Sequence, residues 1–177
     1  MDFEPLRQIS IHPDMALVVR HLQAIAPGNE LPKWLDFRPS QVRHALGYIF
    51  LIDILPDQND FRYHLLGEHI LILYGLQATN KLLSELGYEA QFARLRDTYH
   101  AVIKARSFLY LRGRYTWPDR SVAIERLLVP MADGDGHLNF ILGLTIPDAP
   151  TDQISVFAGL GPALLEIDEQ VTGKAAI

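Results

Sequence analysis

The amino-acid sequence predicts an α+β fold, in which one antiparallel sheet of five strands carries helices on one face and a further helix precedes it at the N-terminus. Three observations predict it. Extended stretches fall into two groups, two early and three late, with a helical middle between them. The longest amphipathic pattern, from Tyr88 to about Ala105, closes that middle. Turn chemistry then joins the late strands tightly enough to make them antiparallel neighbours. It is plainest at Asp133-Gly134-Asp135-Gly136, where glycine accepts positive φ. Strands and helices segregated in this way argue for α+β.

The elements follow in order. Pro13 and Asp14 open an amphipathic helix to Ala26, with Met15, Val18, Leu22 and Ile25 on one stripe and Pro27-Gly28-Asn29 as its stop. Leu31 to Pro39 reads as an irregular connection, and Ser40 caps a short helix to about Leu46. Tyr48 to Leu55 and Phe61 to Leu66 are strands joined by a hairpin loop, Pro56 to Asp60. Gly67 breaks the pattern, and short helical pieces follow to Tyr74 and around Leu82 to Leu86. The long helix carries Phe92, Leu95, Tyr99 and Val102 on its apolar stripe, with Arg96, His100 and Lys104 opposite. Phe108 to Thr116, Val122 to Met131 and Leu138 to Ile146 are strands, the first two separated by Pro118-Asp119. The tail from Pro147 reads as irregular, with a helix near Leu164 to Val171.

Composition narrows the function. Hydrophobic residues make up 49% of the 177, enough for a sizeable core. A net charge of -5 disfavours a nucleic-acid partner, which needs a basic surface. With no cysteine, disulfides, thiolate catalysis and cysteine-ligated metal centres are excluded. Met1 is followed by Asp2 and Glu4, not by a secretion signal. No stretch approaches the roughly 20 apolar residues of a membrane span. The cytoplasm is the expected location, with no membrane partner.

Leu31-Pro32 and Asp36-Phe37 stand before the first strand, and Phe61-Arg62-Tyr63 runs to Gly67. These segments resemble the bacterial family of stand-alone PAS-like proteins. Tyr74-Gly75 is similar to the family's Phe-Gly. Glu125-Arg126-Leu127-Leu128-Val129-Pro130, followed by Asp133-Gly134, is the most specific match. His64 stands where the family usually has arginine, and Asn80 where it usually has glycine. The resemblance spans about Leu31 to Ile146. It implies a PAS-like domain over 31–147, an N-terminal helical extension over 1–30 and a C-terminal tail over 148–177.

No catalytic constellation rises above background. Without cysteine, flavin–cysteine photochemistry is closed. Haem sensing in PAS modules uses a histidine on the long helix, but His100 shares its face with Arg96 and Lys104 and reads as solvated. His64 and His69 lack a carboxylate at metal-ligand spacing and read as structural. Asp133-Gly134-Asp135-Gly136 lacks the later oxygen ligands of a calcium loop and reads as a hairpin turn. No metal site is expected, and the sequence specifies no cofactor. Tyr63, Tyr74, Phe92 and Tyr99 either line a ligand cavity between sheet and helices or fill a solid core.

Three expectations concern the sheet. Leu138, Phe140, Leu142 and Leu144 share a face too apolar for water, so the stripe of Met15, Val18, Leu22 and Ile25 covers it, from the same chain or a dimer partner. Arg112 pairs with Glu125 across a hairpin centred on Pro118-Asp119. Arg126 lies on the face of Ile124 and Leu128, opposite Gly143, and the resemblance turns it inward. There it is held by Asp53 or Glu68 in an ion pair, or it anchors a ligand carboxylate or phosphate.

The resulting expectation is a non-catalytic regulatory module that senses a small molecule, docks a regulatory protein partner, or both, as a homodimer. Tyr63, Tyr74, Phe92, Tyr99 and Arg126 are its candidate ligand-binding residues. The alternative is a small α+β cavity enzyme or carrier acting on an apolar ligand.

Overall fold

The computed structural model describes residues 1–28, 30–74, 77–86, 89–150, 153–154 and 164–173, without the side chains of Gln58, Tyr74 and residues 89–92. At the N-terminus a single turn of helix, Glu4–Arg7 (α1), precedes Pro13–Ile25 (α2). The His12 ring caps α2, its Nδ1 accepting from the Asp14 N–H at 3.2 Å, and Pro13 fills a position that needs no N–H. The Met1 ammonium donates to the carbonyls of Gly28 and Glu30 at 2.8 and 2.9 Å, tying the chain start to the end of α2.

Six strands form one sheet: Ile49–Leu55 (β1), Asp60–Leu66 (β2), Leu109–Trp117 (β3), Arg120–Ala132 (β4), Leu138–Pro147 (β5) and Leu164–Thr172 (β6). Their order is β2-β1-β5-β4-β3-β6, with every pairing antiparallel. Alternation along the strands sorts the side chains onto two faces. On the outer face Leu127, Val129 and Met131 of β4 and Leu142 and Leu144 of β5 pack against Met15, Val18 and Leu22 of α2. On the inner face Phe50, Ile52, Leu128 and Ile141 pack beneath the middle segment. That segment comprises Glu68–Tyr74 (α3), a 3-10 turn at Leu83–Leu86, and Glu89–Ala105 (α4). Of the predicted stripe on α4, Tyr99 and Val102 are buried and Leu95 packs beside them.

The α+β class is thus observed, with the middle helices on one face and the N-terminal helix on the other. The apolar stripe of α2 covers its own sheet, which leaves Phe140 only partly exposed.

Two local expectations are corrected. The short helix expected after Ser40 is instead a pair of 3-10 turns, Pro39–Gln41 and Arg43–Tyr48, with no side-chain cap. The helix expected near Leu164 to Val171 is strand β6, which gives the sheet six strands where five were expected. The cause is a bulge. Register shifts between Arg112 and Gly113, leaving Asp168 as the extra residue on β6. Leu165 and Ile167 lie on one face, Glu169 and Val171 on the other, and this broken alternation resembles a helical period.

Strand register decides where Arg126 goes. Arg112 stands opposite Glu125, as expected. Arg126 stands opposite Thr145, two residues from the expected Gly143. Asp133 closes a longer turn than Gly134-Asp135 alone, its N–H bonding the His137 carbonyl at 2.9 Å. A second bulge between Met131 and Ala132 adds the remaining shift. A shift of two keeps Arg126 on the predicted face. The space at Gly143 is taken from the other side: a Cβ there would lie 2.0 Å from the Phe50 ring.

Candidate functional site

Arg126 is 1% exposed, the largest fully buried side chain described. Its Nε–H donates to Thr145 Oγ1 at 2.9 Å, and its second amino group donates to the Tyr115 hydroxyl. The guanidinium also lies over the Tyr115 ring, 5.6 Å from the centroid. Around it Leu111, Tyr115, Trp117, Val122 and Ile124 form an apolar cluster with Leu73. In such surroundings a guanidinium keeps its proton and presents a planar fork of donors.

The expected ion-pair partner Asp53 is elsewhere. It lies on the outer face, with Arg62 Nη2 at 2.7 Å and His64 Nδ1 at 3.1 Å. Asp53 pairs with Phe140 across β1 and β5, five positions along β5 from Thr145, which is about 17 Å at strand rise. Glu68, the other expected partner, heads α3 and is exposed.

Two of the predicted aromatics do meet. Tyr63 and Tyr99 are buried, with their hydroxyls 3.2 Å apart. Phe61 packs edge-on against Tyr99 at 5.1 Å, and Phe50 edge-on against Tyr63 at 6.3 Å. The pairing Tyr63–Ile52–Ile141 puts this group three strands across and four residues along from Arg126. Strand spacing makes that roughly 20 Å between backbones. The structure therefore divides the predicted set: Tyr63 and Tyr99 come together, and Arg126 stands apart with Tyr115 and Thr145. Tyr74 and Phe92 lie on α3 and α4, with side chains outside the described residues.

A third group on the outer face escaped the sequence reading, although the Arg112–Glu125 register pointed to it. Glu125 accepts from the His12 N–H at 2.9 Å, and Arg112 donates to the Ser10 carbonyl and to Glu169 at 3.3 Å. Between them lies the buried Tyr110 hydroxyl, for which no group reaches hydrogen-bond geometry among the described residues. Burial, and then the Glu125 carboxylate, push its pKa well above the usual phenol value.

The remaining candidates have local roles. His100 is exposed, its ring edge-on to Phe61 at 5.1 Å. His69 packs on Tyr48 at 4.5 Å. Asp133, Asp135 and His137 bring ligand atoms within 4.8 Å of one another, but Asp133 spends its carboxylate on the turn. Its Oδ1 accepts from the N–H groups of Asp135 and His137 at 3.0 and 2.9 Å. Asn80 has φ +63°, a left-handed conformation that asparagine tolerates and glycine adopts freely. Among the described residues no helix is long and apolar enough to cross a membrane.

Comparison with known proteins gives one family match. A family model described as a PAS domain matches residues 11–146. No curated protein matches the chain. Among solved structures, the light state of the blue-light photoreceptor Aureochrome1 LOV is similar at 14% identity, covering 65% of this chain and 91% of that one, with a TM-score of 0.42. The PAS domain of a protein from Colwellia psychrerythraea is similar at 16% identity, covering 61% and 94%, with a TM-score of 0.42. An RNA-binding Light-Oxygen-Voltage receptor is similar at 18% identity, covering 68% of this chain and 36% of that one, with a TM-score of 0.44.

Proposed function

The chain belongs to the PAS domain family, whose members are generally sensory, regulatory modules, and from that premise we propose that it is a non-catalytic sensor of a small anionic molecule. Its signal leaves by protein contact, through a homodimer or a regulatory partner. The observation that carries the reading is the buried Arg126 fork, set among aromatic side chains and oriented by the Tyr115 and Thr145 hydroxyls. A guanidinium so placed suits a carboxylate or phosphate group, which it binds through two parallel donors. Tyr63 and Tyr99 form the apolar wall of the inner face in this reading, and Tyr74 and Phe92 remain candidate ligand-binding residues beside them. Tyr63 and Tyr99 lie too far along the sheet to share one contact with Arg126.

Native mass spectrometry of the purified protein tests this. The expected result is a small-molecule adduct that survives gentle desolvation and disappears in Arg126→Lys, which keeps the charge and loses the fork. An adduct equally retained by Arg126→Lys refutes the anchor. Repeated purification with no adduct, and none gained from carboxylate or phosphate compounds, refutes the sensing role and leaves protein docking.

A further inference from the structure

Residues 8–12 lead into α2 and cross the outer face of the sheet at Arg112 of β3 and Glu125 of β4. Ile9 and Ile11 are only partly buried against the outer core. Two polar contacts complete the hold: the Glu125 carboxylate accepts from the His12 N–H at 2.9 Å, and Arg112 donates to the Ser10 carbonyl. Arg112 and Glu125 stand directly opposite each other on the β3–β4 ladder, where opposite charges ordinarily pair. Among the described residues they form no ion pair with each other. Each is drawn onto the backbone of residues 8–12, and Arg112 also onto Glu169 at 3.3 Å. The Tyr110 hydroxyl is the group left over. It is buried beside both and reaches hydrogen-bond geometry with neither. A buried hydroxyl without a partner carries its full desolvation cost.

A second arrangement of the same side chains removes that cost. When residues 8–12 lift, the Ser10 carbonyl and the His12 N–H pass to water, Glu125 turns to the Tyr110 hydroxyl, and Arg112 closes on Glu125. We propose that residues 8–12 are a strap with two states, docked on Arg112 and Glu125 or lifted from them, and that the Tyr110 hydroxyl stabilises the lifted state. Burial of Ile9 and Ile11 favours docking, and the completed Tyr110–Glu125–Arg112 set favours lifting. His12 carries the choice into α2. Its ring caps the helix by accepting from the Asp14 N–H, and its carbonyl accepts from the Ala16 N–H at 2.9 Å. Lifting therefore loosens the first turn of the helix that covers the outer face. The strap requires no ligand at Arg126, whose side chain lies on the inner face, so the two readings can fail separately.

Amide hydrogen exchange on the full chain, read residue by residue by NMR, tests it. The buried Val129 of β4 serves as the reference for global unfolding. In wild type the His12 and Asp14 amides are expected to exchange faster than Val129, by local lifting. Equal rates mean that the strap opens only when the whole domain unfolds, and they overturn the proposal. Ile11→Ser weakens the apolar hold, and the same two amides are expected to exchange about tenfold faster. Tyr110→Phe removes the hydroxyl that only the lifted state satisfies. It is expected to slow them roughly fivefold in wild type and to restore their protection in Ile11→Ser. A hydroxyl that serves the docked state has the opposite sign, and one that is indifferent to the strap leaves the rates alone. Faster or unchanged exchange in Tyr110→Phe therefore overturns the proposal, as does a double variant that exchanges no more slowly than Ile11→Ser.

Discussion

Replacing Gly143 with alanine asks whether the inner face is filled or hollow at its centre. The added Cβ would lie 2.0 Å from the tip of the Phe50 ring, with two more ring atoms at 2.1 and 2.5 Å. Carbon atoms rest about 3.5–4.0 Å apart, so the ring must retreat by roughly 1.5 Å. Phe50 has no exposed surface, and Tyr63 lies edge-on to it. A close-packed interior offers no free volume for that retreat, and overpacking of this kind costs about 1–3 kcal/mol. For a domain of this size each kcal/mol lowers Tm by about 2–4 °C. Urea unfolding of wild type and Gly143→Ala gives the cost directly. Phe50→Leu shortens the ring side chain and destabilises by itself, but in the double variant the two losses do not add. The expected coupling is about 1 kcal/mol or more in favour of the pair. If Gly143→Ala unfolds within about 0.5 kcal/mol of wild type, the space beside Gly143 is open and the packed-face argument fails.

Other outcomes follow from single contacts. Arg126→Met removes the described hydrogen bonds to Thr145 and Tyr115 from a charged donor, each worth about 1.5–3 kcal/mol, offset in part by relief of the buried charge. A net loss of about 2–4 kcal/mol is expected in chemical unfolding of ligand-free protein, and an unchanged midpoint refutes the internal role. Asp53→Asn weakens the contacts to Arg62 and His64 and lowers stability by about 1–2 kcal/mol, the solvent-exposed arginine limiting the effect. Burial, and then Arg38, hold the His21 pKa below its ordinary value of about 6.5, and its Nε2 accepts from the Arg38 N–H at 2.9 Å. The folded state therefore binds fewer protons there than the unfolded state. That contribution to stability is present above about pH 6.5 and is lost as pH falls through the folded value. His21→Gln keeps an acceptor without titrating. Its unfolding midpoint is expected to change less than that of wild type between pH 7.5 and 5.5; equal changes refute the assignment.

Local signals made much of this fold legible. Pro13, Asp14 and Pro27-Gly28 bounded α2, and the apolar stripe identified the face it buries. Strong turn chemistry at Pro118-Asp119 set the β3–β4 register to the residue, because that hairpin carries no bulge in its described pairing. Alternation puts Arg126 on the face of Ile124 and Leu128, the resemblance turns that face inward, and a two-residue difference in register leaves both intact. What failed was whatever depended on neighbours distant in sequence. Bulges at Met131/Ala132 and on β6 are set by the partner strand, and no local pattern announces them. The Phe50 ring fills the space at Gly143 from a strand more than ninety residues away in the sequence. Likewise, Leu164–Thr172 has the composition of either a helix or an edge strand. The open edge of β3, with Gly113, Arg112 and Arg114, selects the strand. The sequence by itself determined which residues of most strands and of α2 and α4 share a face, because periodicity is a property of consecutive residues. Only the tertiary structure decided what they meet there, because register and packing are properties of pairs.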